Sequence, residues 1–210
     1  MIRKIINRIS NIIWKFNRIR YMKKVKSSIT IKEVPTIISC NCTGGVMYHD
    51  LGLKFNSPTI NLYMECEHFI KFCENLPYYL NCEMMTYEGE IERNYPIAQL
   101  GDLILYLVHY KSFEEAKNKW DVRKKRVNME NIRVIGTNRD GCTNELKNRF
   151  EALPYKKVMF THIYDKEHNS CFYIKGYEND KQVGTVVEPD GRISGKRKFD
   201  QFDWVDFLLN

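Results

Sequence analysis

The apolar positions at the start of the chain recur with a helical period. Ile2, Ile5, Ile6, Ile9, Ile12, Ile13, Phe16 and Ile19 share the i, i+3, i+4, i+7 spacing of one face, and Arg, Lys and Asn fill the opposite one. Trp14 and Tyr21 flank the stripe, rings that favour the headgroup zone of a bilayer. Charges recur too often for a membrane span, which needs ~20 mostly apolar residues. Residues 1–28 are therefore expected to form a basic amphipathic helix, and two readings stand. In one it lies in the plane of an anionic membrane surface through residues 1–26; in the other its Ile face packs on its own domain or a partner subunit. No acidic residue interrupts the segment, which favours the membrane. A chain lacking residues 1–26 is then expected to fold and to lose binding to anionic vesicles.

From residue 31 onward the pattern alternates between strand and helix. Val34 to Ser39 is a β-branched run, followed by a Gly-containing loop and a short helix-compatible stretch, Val46 to Leu53. Pro58 to Met64 reads as a strand and Glu65 to Leu76 as a helix that Pro77 ends. Pro96 argues against a central strand in the less regular stretch before Leu100. Leu103 to Val108 is a continuous apolar run of the kind buried on both faces of a parallel sheet. Ser112-Phe113-Glu114-Glu115 has capping-box form and starts a helix that turns Phe113, Ala116 and Trp120 inward. Ile132 to Thr137, Lys157 to His162 and Cys171 to Tyr177 are further strands, with Val183 to Val187 an edge. Helices fill Thr143 to Leu153, with Thr143 as N-cap, and Phe202 to Leu209. The pattern predicts an α/β fold, three layers α/β/α around a mostly parallel sheet, as one domain over residues 31–210.

Composition agrees. The chain has 210 residues, 43% of them hydrophobic, enough for a sizeable core. The net charge of +7 is concentrated at the front: nine of the 33 basic residues lie in the first 26 positions, leaving 24 basic against 26 acidic side chains elsewhere. The body is near neutral, so no nucleic-acid partner is expected. Seven scattered cysteines fit free thiols in a cytoplasmic protein, peripheral on the inner membrane face under the first reading. Cys40-x-Cys42 has no second close pair, and His49, His68, His162 and His168 show no ligand spacing, so no metal site is expected.

Ligands of open α/β sheets bind beyond the carboxyl ends of strands. Three expected strand ends carry polar clusters: Asn41 to Gly45, His109 to Lys111, and Asn138 to Thr143. Gly44-Gly45 either brings backbone amides to a phosphate or serves a turn that needs glycine dihedrals. His109 is either a general base, with Lys111 holding an anion beside it, or a histidine satisfied by a carbonyl at the sheet margin. Asp140 orients His109 or is an ordinary Asp-Gly turn residue, and Cys42 is a nucleophile at a helix start or an inert thiol. The run from Arg123 to Arg126 supplies helix C-terminal cations or a phosphate contact.

Several of these segments together resemble a known family. Ile37-Ile38-Ser39-Cys40-Asn41-Cys42-Thr43-Gly44-Gly45, Ser57-Pro58-Thr59, His109-Tyr110-Lys111-Ser112, Glu115-Ala116, Lys119-Trp120, Arg123 to Arg126 and Asp140-Gly141-Cys142-Thr143 are similar to the bacterial domain-of-unknown-function family numbered nineteen-nineteen. Its members are often labelled exopolysaccharide biosynthesis proteins. The likeness runs from about Ile31 to the Trp204-to-Leu209 helix and implies a three-layer α/β fold and a role in surface-glycan assembly. Cys40 and Thr43 depart from the family pattern, where Asn and Trp are usual, so substrate preference here differs if those positions touch ligand. The resemblance supplies no catalytic residues and no cofactor. The expected activity is transfer of a sugar, acyl or phosphate-containing group, from a nucleotide-sugar or acyl donor to a glycan or lipid-linked acceptor. His109 is base, Asp140 orienter and Cys42 candidate nucleophile, with Asn41, Thr43, Gly44, Gly45, Lys111, Thr143 and Arg123 binding ligand. The alternative is a noncatalytic membrane-docked scaffold, marked by side chains filling the pocket.

Overall fold

Alternate residues of the parallel strands enter two separate cores, and that period of two divides the molecule into layers. The computed structural model describes residues 2–210 and, of Ile2, only the backbone, so the side chain that opens the expected stripe lies outside the described residues. After α1 (Ile2–Ser27) come β1 (Thr36–Ser39), α2 (Thr43–Leu51), α3 (Cys66–Glu74), α4 (Leu76–Asn81), β2 (Met84–Thr86), β3 (Ile97–Leu100) and β4 (Leu103–Tyr106). Then follow α5 (Phe113–Lys124), β5 (Ile132–Thr137), α6 (Asn144–Glu151), β6 (Lys156–Thr161), β7 (Cys171–Tyr173), a 3-10 turn (Lys198–Gln201) and α7 (Trp204–Leu209). Strands β1, β5, β6 and β7 pair in that order, all parallel. Ile38, Val134 and Met159 point into a core shared with Phe69, Phe72, Trp120 and Phe150. Their neighbours Ile37, Ile135, Val158 and Phe160 point the other way, onto Met22, Met47, Tyr48, Phe199 and Trp204. Each fully buried side chain of this size stabilises by roughly 1.5–3 kcal/mol.

Local signals place several boundaries. The Ser112 hydroxyl accepts the Glu115 amide at 3.2 Å and starts α5; Thr143 accepts the Leu146 amide at 3.2 Å and starts α6. Gly44 lies inside α2, where a Cβ would stand 2.9 Å from Ile37 Cγ2 and 3.0 Å from Ser39 Cβ. Only glycine lets this helix sit so close to β1.

Five expectations are corrected. Leu103 to Val108 is not part of the parallel sheet: β4 forms an antiparallel hairpin with β3 in a second sheet ordered β2-β3-β4. The two-residue link Gly101-Asp102, with Gly101 at φ 61°, permits only that pairing. Pro96 precedes a central strand rather than excluding one, because it stands just before Ile97, where no ladder amide is required of it. Pro58 to Met64 is no strand; Asn61 at φ 63° breaks it, and its end bridges the two sheets, Tyr63 pairing with Tyr106 while the Met64 amide donates to Cys40 O at 2.9 Å. Val183 to Val187 carries no strand, and Pro77 starts α4 rather than ending α3, which stops at Glu74.

Candidate functional site

After β1 the chain turns onto one face of the parallel sheet as α2, and after β5, its neighbour, onto the other face as α6. Adjacent strands whose exits diverge leave a crevice at their carboxyl ends, the usual ligand position in open α/β sheets. A pocket of about 530 Å³ occupies it. Asn41, Cys42 and Thr43 line it from the β1 exit, Arg139 and Asp140 from the β5 exit, Tyr63 from the segment crossing between the sheets, His109 from the turn after β4, and Gly184 to Val187 from the late loop.

Within it, the His109 Nε2 lies 3.1 Å from the Cys42 Sγ. Each is held from behind. Asn41 Oδ1 accepts from both the Thr43 amide (3.0 Å) and its hydroxyl (2.6 Å), fixing the turn that presents Cys42 at the cap of α2. His109 stands on the turn after β4, whose next residue, Tyr110, is buried and donates its hydroxyl to Ile60 O at 2.7 Å. The Arg123 guanidinium donates to that same hydroxyl at 2.7 Å and lies 5.3 Å from the centre of the Phe55 ring. Burial pushes the Cys42 thiol up, opposed by a backbone hydrogen bond, so the resting group is S–H able to donate to imidazole.

Burial also raises the Asp140 carboxyl, against Arg139, whose Nε is 3.8 Å away, and with Glu65 adding to the rise. Asp140 has φ 55°, a conformation non-glycine residues seldom adopt, and its amide is tied to Gln182 Oε1 at 3.0 Å. The Tyr63 hydroxyl is raised by burial and by the negative charges of Asp140 and Glu65.

The residues expected from sequence divide sharply. Asn41, Cys42, Thr43, His109 and Asp140 meet in the pocket. No hydrogen bond joins Asp140 to His109 among the described residues, so the carboxylate does not orient the ring. Gly44 and Gly45 are absent from the lining; a Cβ at Gly44 would meet Ile37 and Ser39 and one at Gly45 would meet Ile60, so the pair lets α2 pack closely. Lys111 is exposed with its amide on Glu115, Thr143 is consumed as a cap, and Arg123 is buried behind the His109 turn. Tyr63 and Thr185 were not anticipated; no pattern marks them, because the crossing segment and the late loop reach the pocket only through tertiary packing.

A second polar cluster lies apart. Donor atoms of Asp165, His168 and Cys171 come within 4.8 Å of one another, a grouping the sequence spacing had not suggested. Its groups are already engaged: Lys147 Nζ is 2.9 Å from Asp165 Oδ2, and His168 faces Asp165 Oδ1 at 3.0 Å and Asn148 Oδ1 at 2.9 Å. Burial pushes the Cys171 thiol up to about 12, with Asp165 reinforcing it. An ammonium on the shared carboxylate makes this a structural network that pins the β6–β7 connection.

Layering, strand order and the pocket at the diverging exits define a mixed α/β protein built around a parallel sheet, with a cysteine and a histidine paired at its rim. The chain belongs to the family described as Domain of unknown function (DUF1919), which it matches over residues 12–209. It is 40% identical over 174 residues to a Haemophilus influenzae protein named only "Uncharacterized protein", a likeness that covers 82% of this chain and 83% of that one.

Proposed function

We propose that the protein is a cysteine-dependent acyl-group transferase, with Cys42 as nucleophile and His109 as its base. The observation that carries this reading is the 3.1 Å approach of Nε2 to Sγ at the pocket mouth. Because burial keeps the thiol protonated, the pair works by transfer on demand. His109 takes the S–H proton as sulfur attacks the donor carbonyl, then returns it to the leaving group as the acyl-enzyme thioester forms. An acceptor hydroxyl then attacks the thioester, its proton passes to His109, and the thiol is restored. Arg139 offers the pocket its cation for a donor carboxylate or phosphate, and Asp140 a hydrogen-bonding partner for the acceptor. A thiol suits a carbonyl carbon better than an anomeric carbon or a phosphorus, which favours acyl transfer over the glycosyl and phosphoryl alternatives. The acceptor we propose is the surface glycan or lipid-linked precursor that the family resemblance implies. A scaffold role is less well supported, since the pocket is open instead of being filled by side chains.

Intact-mass measurement after incubation with short-chain and long-chain acyl-coenzyme A, and with p-nitrophenyl acetate, tests the proposal. One acyl adduct on Cys42 is expected, absent in Cys42→Ala and slowed by about 10²-fold or more in His109→Ala. A protein that stays unmodified, or labels elsewhere among its seven cysteines, would overturn it.

A further inference from the structure

Among its described side chains, helix α1 meets the body through one face only. Trp14, Arg18 and Met22 are buried, and Trp14 Nε1, Asn17 Nδ2 and Arg18 NH1 donate to the carbonyls of Lys196, Ile193 and Gly195. On a helical wheel the stripe Ile5, Ile6, Ile9, Ile12, Ile13, Phe16 and Ile19 spans about 140° and is centred about 170° from that docked face. It therefore points away from the protein; Ile12 is 61% and Ile19 68% exposed. The reading in which this face packs on its own domain is thereby removed.

We propose that α1 seats the protein in the plane of an anionic phospholipid bilayer, the Ile/Phe stripe in the acyl boundary and its cations at the phosphates. Charge selects this occupant. Arg8, Lys15, Arg20, Lys23 and Lys24 are exposed along or beside the stripe, and α1 holds no carboxylate at all. A second copy of α1 would bring cations against cations with no acidic residue at any flanking position, and the stripe is wider than a two-stranded seam requires. A groove of about 640 Å³ adjoins the stripe at Ile19, lined by Lys15, Lys23 and Lys26 and by Asp50, whose charge Arg18 and Arg197 already meet, and gives one acidic headgroup a place beside the helix. No described helix is long and apolar enough to cross a membrane, as an in-plane seat requires.

The structure also changes how this is tested. Removing residues 1–26 would take away Arg18 and strand buried carboxylates, so point variants on the exposed face replace the truncation. The full chain is expected to sediment with phosphatidylglycerol-containing vesicles, weakly with phosphatidylcholine alone, and less as NaCl rises to about 0.5 M. Ile9→Glu/Ile12→Glu should lower partitioning by about a hundredfold or more while leaving the melting temperature unchanged, both sites being exposed. Equal sedimentation of the variant, or no preference of the wild type for anionic vesicles, would refute the proposal. So would a dimer in sedimentation velocity that the variant dissolves without any vesicle binding.

Discussion

Replacing Arg18 by methionine isolates the contact that holds the first helix to the body. The Arg18 guanidinium is buried between two carboxylates, 2.6 Å from Asp50 and in direct contact with Asp200, with the rings of Tyr21 and Phe199 at 5.4 and 5.7 Å. Methionine keeps most of the stem's packing and removes the charge. Asp200, whose side chain is fully buried, would retain the Arg197 amide at 2.6 Å and the Trp204 indole at 2.8 Å; Asp50 would retain Arg197 Nε at 3.2 Å. Asp50 would then keep one guanidinium, and Asp200 would keep two neutral donors and no cation among the described residues. Breaking a buried pair from one side costs about 3–5 kcal/mol, and the surviving donors place this case near the lower end, about 3 kcal/mol. Arg18 Nε has no acceptor among the described residues, which trims the native contact in the same direction. For a chain of this size that is a fall of about 6–12 °C in melting temperature. Urea denaturation followed by circular dichroism reads it directly. Arg18→Lys should lie between, keeping charge but losing the fork. A methionine variant within about 1 kcal/mol of wild type would show that α1 is held by packing alone.

Three further outcomes follow. Gly44→Ala should destabilise by about 1–3 kcal/mol in denaturant titration, because its methyl meets fully buried Ile37 at 2.9 Å; a neutral effect would mean that α2 shifts freely on β1. Iodoacetamide should label Cys42 more slowly at neutral pH than a free cysteine and accelerate only above the ordinary thiol range of ~8.5, since burial raises this thiol; fast labelling at pH 7 would instead reveal a preformed thiolate. Burial alone would raise the Asp165 carboxyl, but hydrogen bonds from Lys147 and His168 hold it well below the ordinary range. Its contribution is therefore present above the unfolded value of ~3.9 and lost as pH falls below it, so the stability gap between wild type and Asp165→Asn should narrow from pH 5 towards pH 2. A gap independent of pH would show that the loss is one of packing.

Signals confined to neighbouring residues were legible in the sequence. β5 spans Ile132–Thr137 as expected, and the hydroxyl caps at Ser112 and Thr143 stand where capping chemistry put them. The second sheet was hidden because a proline before β3 reads as a breaker and a continuous apolar run reads as parallel, while the Gly101-Asp102 turn that settles the pairing is only two residues long. At the site, Cys42 and His109 were each visible as polar residues after apolar runs, yet 67 positions separate them. What brings them together is the crossing of Asn61 to Met64 between the sheets, a long-range arrangement with no periodic signature. Arg123 misled for the opposite reason: a cation in a helix's last turn looks solvent-facing until a tyrosine hydroxyl and a ring close over it.

The clasp on α1 also orders events in time. Arg18 reaches Asp50 across only 32 sequence positions, but Gly195 across 177 and Asp200 across 182, so a ribosome must make nearly all of the remaining described chain before the seat of the first helix is complete. Until then Trp14 is uncovered along with the isoleucines, and the nascent helix is apolar on two sides. A surface that captures it early would do so in an orientation that the finished protein, with one side locked away, can no longer offer.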